Sequence, residues 1–155
     1  MAEAIRNQFA ARKPDRNYIA IVAGVVEAAE GTIRSKLATD DNLNRYSTDG
    51  DGQLAITHWQ QLHAYRDATA LNIRLETGRR NQIRVHMAEA GHPILGDPRY
   101  RRQEAEHRLW PHRRLALHAE SLGLRHPRTG QTIAIRSEWP AEIKDFHRRQ
   151  RRSVT

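Results

Sequence analysis

Cysteine is absent from the 155-residue sequence, and its absence excludes three kinds of site. Without thiols the chain can form no disulfide, no thiolate-bound zinc centre and no cysteine nucleophile. A cysteine-free chain is typical of a reducing compartment. We therefore expect a cytoplasmic protein.

Long hydrophobic runs are missing as well. The longest apolar run, Tyr18 to Val26, has nine residues, whereas a transmembrane helix needs about 20. Glu3 and Asp15 lie among the basic residues that precede this run, and no small-residue cleavage site follows it. A secretory signal peptide is therefore disfavoured, and the sequence predicts no membrane partner.

Acidic residues are scarce relative to basic ones, with 18 against 26, and 23 of the bases are arginine. The excess lies in residues 53–155, whose formal net charge is +9, while residues 1–52 carry −1. The arginine fork matches phosphate oxygens, and a one-sided positive field favours a polyanionic partner. Alternatively, a GC-rich genome encodes arginine at positions where lysine would function equally well. Composition alone therefore does not decide whether the protein binds nucleic acid.

The common metal and cofactor motifs are also missing. No His-Glu-x-x-His cluster, P-loop, dinucleotide fingerprint or Gly-x-Ser-x-Gly elbow occurs in the sequence. Asp49-Gly-Asp-Gly52 lacks the ligand spacing and closing glutamate of a calcium loop, and His118-Ala-Glu120 lacks the cysteines of a zinc deaminase. We expect neither a metal nor a cofactor.

Hydrophobic periodicity predicts one α+β domain, with a mixed, mainly antiparallel sheet and flanking short helices. Residues 40–52 are polar and turn-rich, and Gly91 is expected to end the central helix. The expected helices are 2–11, a short one after Gly78, and 140–152; the expected strands are 17–26, 32–37, 54–62, 68–76, 115–125 and 132–136.

Thr77 to His86 is the densest polar segment, at the predicted junction of a strand and a helix. Arg80 and Arg84 are expected on one helical face, with Ile83 and Met87 towards the core. Unpaired N–H groups at a helix N-terminus and arginine forks both bind anions. The alternative is an ordinary solvated basic helix.

The run from Leu75 to Tyr100, which contains Thr-Gly-Arg-Arg-Asn-Gln-Ile-Arg-Val-His and Gly-His-Pro-Ile-Leu-Gly-Asp-Pro-Arg-Tyr, resembles the signature of RluA/RluD-type RNA pseudouridine synthases. Arg16 to Gly24 is similar to the tyrosine-bearing strand of that family, and Arg114 to Gly130 to its closing hairpin. The resemblance is collinear from about Ala2 to Pro140. Asn81 departs from it, because histidine is more usual there.

The resemblance implies that residues 1–140 form the C-terminal portion of a pseudouridine synthase catalytic domain, with a partial catalytic fold. The residue pattern of 141–155 predicts a C-terminal helix and basic tail. The same resemblance implies conversion of uridine to pseudouridine in rRNA or tRNA without cofactor or metal. The target nucleotide must leave its stack, which costs a few kcal/mol. RNA is therefore the expected partner.

The resemblance also implies roles for individual residues. Tyr18 would stack on the flipped base, and Arg84 would pair with the catalytic aspartate and hold it ionised. For His86 a packed helix histidine is the alternative. The residues expected to bind RNA, by holding phosphates or by ordering the pocket, are Arg79, Arg80, Asn81, Gln82 and His86.

The attacking aspartate of the family lies in a His-Arg-Leu-Asp segment upstream of the strand that holds Tyr18, and this sequence has no such segment there. His107-Arg-Leu-Trp110 carries tryptophan instead of aspartate and lies on the wrong side. We expect a chain truncated before the catalytic aspartate and inactive alone, unless another segment or polypeptide supplies it. A non-catalytic RNA-binding module and a non-functional fragment remain as alternatives.

Overall fold

The computed structural model describes residues 1–11 and 14–152, so residues 153–155 of the predicted basic tail lie outside the described residues. Within these described residues, three helices and seven strands follow one another in this order: α1 (Ala2–Ala10), β1 (Asp15–Ala23), β2 (Glu30–Thr39), β3 (Arg45–Thr48), β4 (Gln53–Ala64), β5 (Ala68–Leu75), α2 (Gln82–Glu89), β6 (Leu117–Arg125), β7 (Thr132–Arg136) and α3 (Ala141–Arg152).

The seven strands form one antiparallel sheet in the order β3-β2-β4-β5-β1-β6-β7. The predicted α+β class and mainly antiparallel sheet are therefore confirmed. Strand β1 lies between β5 and β6, which are distant from it in the chain. This central position brings Tyr18 of β1 next to residues from both halves of the sequence.

The hydrophobic core surrounds β1 and β5. Ile19 to Val22 are all buried, and because successive side chains of a strand point to opposite faces, β1 is covered on both faces. Ile83 and Met87 of α2 belong to this core, as predicted, and so do Ile143 and Phe146 of α3. Helix α3 thus shares one core with the sheet.

Helix α2 has the predicted position and end. Gly91 follows it with φ 86°, a left-handed conformation that glycine adopts without penalty. The backbone N–H of His92 donates to the carbonyl of Met87 at 2.9 Å, which satisfies one of the last helical carbonyls. No helix in residues 1–11 and 14–152 is long and apolar enough to cross a membrane.

Strand β3 was not predicted, because it lies within the polar segment 40–52. Its residues pair with the end of β2, from Lys36 to Thr39. The connecting turn is held by Asp40, whose side chain accepts the backbone N–H of Asn44 at 2.7 Å. A short polar edge strand carries almost no hydrophobic alternation, so its pattern resembles that of a loop.

Candidate functional site

A cavity of about 290 Å³ lies where β1, the end of β5, the start of α2 and the segment entering β6 meet. This volume is close to the lower end of the range for small-ligand pockets, roughly 300 Å³. The side chains that line it are Tyr18, Leu75, Arg79, Asn81, Gln82, Ile83, Arg84, Leu115 and Leu117. Five of the seven predicted site residues are therefore brought together, and Arg80 and His86 are not among the lining residues.

Tyr18 stands on β1 opposite Ile73 of β5 and Ala119 of β6. The register between β1 and β6 shifts between Asn17 and Tyr18, so β6 carries one extra residue at this point. Such bulges re-aim side chains and are frequent beside active sites. The aromatic ring of Tyr18 and the apolar side chain of Leu117 share the wall of the cavity.

Arg84 pairs with Asp97, which lies in the Gly-Asp-Pro segment that follows α2. The Arg84 Nε donates to Asp97 Oδ2 at 2.8 Å, and Nη2 donates to Oδ1 at 2.7 Å. The Asp97 side chain is fully buried and that of Arg84 is 18% exposed. The expected pairing of Arg84 with an attacking aspartate therefore stays a prediction, and in this structure its partner is Asp97.

Burial and hydrogen bonding act on this ion pair in opposite directions. Burial alone would raise the pKa of Asp97, but the hydrogen bond from Arg84 and two backbone N–H donors hold that pKa below its usual value. The hydrogen bond to Asp97 raises the pKa of Arg84. Both groups are therefore charged in the folded protein at neutral pH.

Asn81 precedes α2 in the left-handed conformation, with φ 57°. Its Oδ1 accepts from Arg84 Nη1 at 3.3 Å, and its Nδ2 donates to the hydroxyl of Tyr100 at 3.3 Å. The predicted shared helical face of Arg80 and Arg84 is wrong, because α2 begins at Gln82. Arg80 lies before the helix and donates to the carbonyl of Leu43 at 3.1 Å.

Gln82 is 2% exposed and uses its amide entirely within the protein. Its Nε2 donates to the carbonyl of Ile56 at 3.0 Å and to Thr57 Oγ1 at 2.9 Å. Its Oε1 accepts from Thr77 Oγ1 at 2.7 Å and from the backbone N–H of Arg79 at 3.0 Å. Of the two roles proposed for Gln82, these contacts fit the ordering of the pocket and not the holding of phosphates.

Arg79 also holds the protein's own backbone. Its Nε donates to the carbonyl of Leu54 at 3.1 Å, while its side chain still lines the cavity. Its terminal nitrogens carry four further N–H groups. Arg79 therefore combines an ordering contact with a place in the wall of the cavity.

His86 lies on α2, and its side chain is completely buried. Its Nδ1 lies 2.8 Å from Thr57 Oγ1, and its Nε2 lies 3.0 Å from Ser35 Oγ. Burial lowers the pKa of His86, although the charge of Glu89 acts in the opposite direction. These contacts fit a neutral histidine that ties α2 to β2 and β4.

We expect the neutral His86 to make stability depend on pH. Its pKa is lower in the folded than in the unfolded chain, so the unfolded chain binds more protons and stability falls as the pH drops below about 6.5. The melting temperature should therefore decrease from about pH 7.5 to about pH 5.5. The decrease should be smaller in His86→Gln than in wild type.

His118→Gln is the control for this measurement, because His118 lies in an exposed hydrogen bond to the carbonyl of Ser137. It should keep the wild-type pH dependence. An unchanged pH dependence in His86→Gln would show that His86 is not the group responsible.

Asp97 and Tyr100 belong to the site but were not predicted as parts of it. Asp97 Oδ1 also accepts the backbone N–H groups of Arg99 at 2.9 Å and Tyr100 at 3.1 Å. The Arg84 guanidinium lies 5.1 Å from the centre of the Tyr100 ring. An aspartate between glycine and proline predicts a turn. Its ion pair with Arg84 is visible only in the folded structure.

No aspartate or glutamate occurs among the described residues that line the cavity. Asp97, the carboxylate that pairs with the lining residue Arg84, accepts hydrogen bonds from four donors. No group of three or more histidine, aspartate or glutamate side chains suited to a metal ion occurs within residues 1–11 and 14–152. The described lining residues can therefore stack on a planar ring and donate hydrogen bonds, but they offer no nucleophilic carboxylate.

Comparison with known proteins gives a consistent result. A family model described as RNA pseudouridylate synthase matches residues 1–89. "Uncharacterized RNA pseudouridine synthase YlyB" of Bacillus subtilis is 34% identical over 145 residues, covering 93% of this chain and 46% of its own length. "Ribosomal large subunit pseudouridine synthase D" of Zymomonas mobilis is 38% identical over 145 residues, covering 88% of this chain and 45% of its own length.

Solved structures share the fold. "Human RNA Pseudouridylate Synthase Domain Containing 4" superposes with a TM-score of 0.76 at 22% identity, covering 97% of this chain and 67% of that one. "Human RNA Pseudouridylate Synthase Domain Containing 1" gives a TM-score of 0.75 at 21% identity, covering 88% and 59%. The chain spans about half the length of the bacterial relatives that it matches.

Proposed function

The chain belongs to the RNA pseudouridylate synthase family, and we propose that its cavity beside Tyr18 holds a uridine flipped out of an RNA strand. The reaction class is isomerisation of that uridine to pseudouridine, in cytoplasmic rRNA or tRNA. The observation that carries the proposal is that Tyr18 and Arg84 line one cavity. The family resemblance assigns stacking on the flipped base to Tyr18 and pairing with the catalytic aspartate to Arg84.

The chemistry of the wall suits a flipped pyrimidine. Stacking of a base on an aromatic ring contributes about 1–3 kcal/mol, which offsets the few kcal/mol needed to extrude the nucleotide. Leu75, Leu115 and Leu117 keep that part of the cavity apolar. Arg79 and Arg84 add donors for the oxygens of the nucleotide.

In this proposal the chain supplies the base-holding and arginine part of the site. The described lining residues include no carboxylate that could attack the nucleotide. Removal of a nucleophile from a covalent mechanism removes most of the rate. We therefore expect the 155-residue chain, assayed alone, to bind uridine-containing RNA without forming pseudouridine.

A second candidate function is RNA binding without catalysis. The same lack of a lining carboxylate favours it, together with the net charge of +9 in residues 53–155. A module that binds only phosphates should bind uridine-containing and cytidine-containing RNA with equal affinity, because the phosphate backbone is the same in both. Preference for the base therefore separates the two candidates.

Photocrosslinking tests the proposed site. A short RNA that carries 5-iodouridine should crosslink to Tyr18 in the wild-type chain, since an iodinated base reacts with the ring on which it stacks. Tyr18→Phe should retain the crosslink because it keeps the ring, and Tyr18→Ala should lose it. The crosslinked residue is identified by mass spectrometry of the digested complex.

Tyr46 provides the matched control, because it is an exposed tyrosine on β3 outside the cavity. Tyr46→Ala should leave the crosslink at Tyr18 unchanged. Unlabelled oligouridylate should compete better than oligocytidylate; equal competition, or crosslinks spread over surface residues, would favour the phosphate-binding module. Pseudouridine in unmodified RNA incubated with the pure chain would contradict the expected lack of activity.

A further inference from the structure

Asp97 holds one side of Arg84 through two parallel hydrogen bonds, to Nε at 2.8 Å and to Nη2 at 2.7 Å. Asp97 itself is fixed, because its Oδ1 accepts the backbone N–H groups of Arg99 and Tyr100. A carboxylate with four donors and no exposed surface has little freedom to move. Arg84 is therefore attached to a rigid turn.

Tyr100 and Asn81 complete the support of Arg84. The Tyr100 ring lies 5.1 Å from the guanidinium carbon, and its hydroxyl accepts from Asn81 Nδ2 at 3.3 Å and from the backbone N–H of Arg45 at 3.0 Å. Asn81 Oδ1 accepts from Arg84 Nη1 at 3.3 Å. Arg84, Asp97, Tyr100 and Asn81 thus form a closed ring of contacts.

This arrangement determines which donors of Arg84 stay available. An arginine has five N–H groups. Arg84 donates three of them to Asp97 and Asn81 within the described part of the chain. One N–H group is left on Nη1 and one on Nη2. Arg84 lines the cavity with Tyr18, whereas Asp97 and Tyr100 do not.

On the premise of the proposed function, we propose that Asp97 and Tyr100 are positioning residues for Arg84. They direct its two remaining N–H groups into the cavity beside Tyr18, where these donate to acceptor oxygens of the flipped nucleotide. Asp97 also offsets the charge of Arg84, so Arg84 acts as an oriented donor and not as a free cation. Neither positioning residue touches the RNA.

The charge of Asp97 gives the test its direction. Asp97→Asn removes a negative charge, which by long-range attraction alone would strengthen RNA binding. It also places an amide N–H group against the Arg84 Nε–H, and two donors cannot form a hydrogen bond. The pair of parallel hydrogen bonds is therefore broken, and Arg84 loses its orientation. The positioning role therefore predicts weaker binding where simple electrostatics predicts stronger binding.

The matched control is Asp145→Asn. Asp145 also pairs with arginines, Arg148 and Arg149, but it lies on α3 away from the cavity. This variant makes the same change in net charge as Asp97→Asn. Its affinity for RNA should equal or slightly exceed that of wild type.

A double-mutant cycle with an oligouridylate probe measures the effect. We expect Arg84→Ala and Asp97→Asn each to weaken binding by about tenfold, and the double variant to bind no more weakly than Arg84→Ala alone. Binding of Asp97→Asn as tight as that of Asp145→Asn would overturn the proposal. Losses that add in the double variant would also overturn it, because they show that Asp97 acts independently of Arg84.

A second variant and an RNA-free measurement keep the test decisive. If Asp97→Asn lacks a cooperative melt, Tyr100→Leu replaces it, with an expected loss of about threefold that disappears in the Arg84→Ala background; wild-type affinity would overturn the proposal. Hydrogen exchange of the Arg84 Nε–H, assigned from its absence in Arg84→Lys, should be slow in wild type and faster in Tyr100→Leu. This exchange reports on positioning even if crosslinking at Tyr18 fails and the proposed function is rejected.

Discussion

Gly96→Ala is expected to destabilise the protein by about 4 kcal/mol or more, a large part of the roughly 5–15 kcal/mol that stabilises a domain. Gly96 has φ 76°, which costs a residue with a Cβ about 1–2 kcal/mol. An added Cβ would lie 2.4 Å from the carbonyl oxygen of Arg114 and 2.8 Å from Trp110 Nε1. The backbone must move to relieve such contacts, which typically costs about 2 kcal/mol more.

The same substitution also threatens a buried hydrogen bond. Trp110 Nε1 donates to the carbonyl of Arg114 at 2.9 Å, and the methyl group of alanine would separate the two. An unsatisfied buried group costs about 1–3 kcal/mol. Because Asp97 follows Gly96 directly, the displaced backbone should also loosen the ion pair with Arg84.

Gly91→Ala is the matched control for Gly96→Ala. Gly91 has a similar φ of 86°, but nothing lies within 4 Å of an added Cβ. Gly91→Ala should therefore lower the free energy of unfolding only by the cost of a left-handed backbone, about 1–2 kcal/mol. Urea unfolding of the two variants measures the difference, and equal losses would show that close packing around Gly96 contributes nothing.

The sheet strands were largely predictable from local pattern. In β5, Leu71, Ile73 and Leu75 alternate with Asn72 and Arg74, and the buried and less buried positions follow that alternation. Period-two alternation indicates a strand because successive side chains point to opposite faces. The order of the strands was not predictable in the same way, since β1 pairs with β5 and β6 across long stretches of chain.

Helix α1 shows the difference between predicting an element and predicting its packing. Ile5 and Phe9 are four residues apart, as in an amphipathic helix, and the helix is present. None of its residues is buried, however, and Phe9 is 38% exposed, with the guanidinium of Arg16 5.7 Å from its ring. Helical periodicity reports that an apolar stripe exists, not what covers it.

The candidate site was predictable in its residues and not in its contacts. Tyr18, Arg79 and Arg84 line one cavity, and they were identified by the family resemblance. The fork between Arg84 and Asp97 depends on how the turn after α2 folds back, which no local pattern encodes. The left-handed backbone of Asn81 keeps Arg80 outside the helix, and it could not be predicted from the sequence either.

Gln82→Met is expected to destabilise the protein by about 3–4 kcal/mol, although methionine nearly preserves the side-chain volume. The substitution removes four hydrogen bonds, each with a net contribution of about 1 kcal/mol, and leaves their partners unsatisfied in the interior. One lost partner is the carbonyl of Ile56 and another is the backbone N–H of Arg79. The damage should therefore reach both β4 and the turn that leads into α2.

Gln150→Met provides a control at equal burial, because Gln150 and Gln82 are each 2% exposed. Gln150 Nε2 makes one short hydrogen bond, to Asp67 Oδ1 at 2.8 Å, so its loss should be about 1 kcal/mol. If burial of an amide were the deciding factor, the two variants would melt alike. If the four-bond network is decisive, Gln82→Met should melt much lower. Where it is still folded, it should crosslink 5-iodouridine at Tyr18 less efficiently, because the backbone N–H of Arg79 loses its acceptor and the turn that lines the cavity loosens.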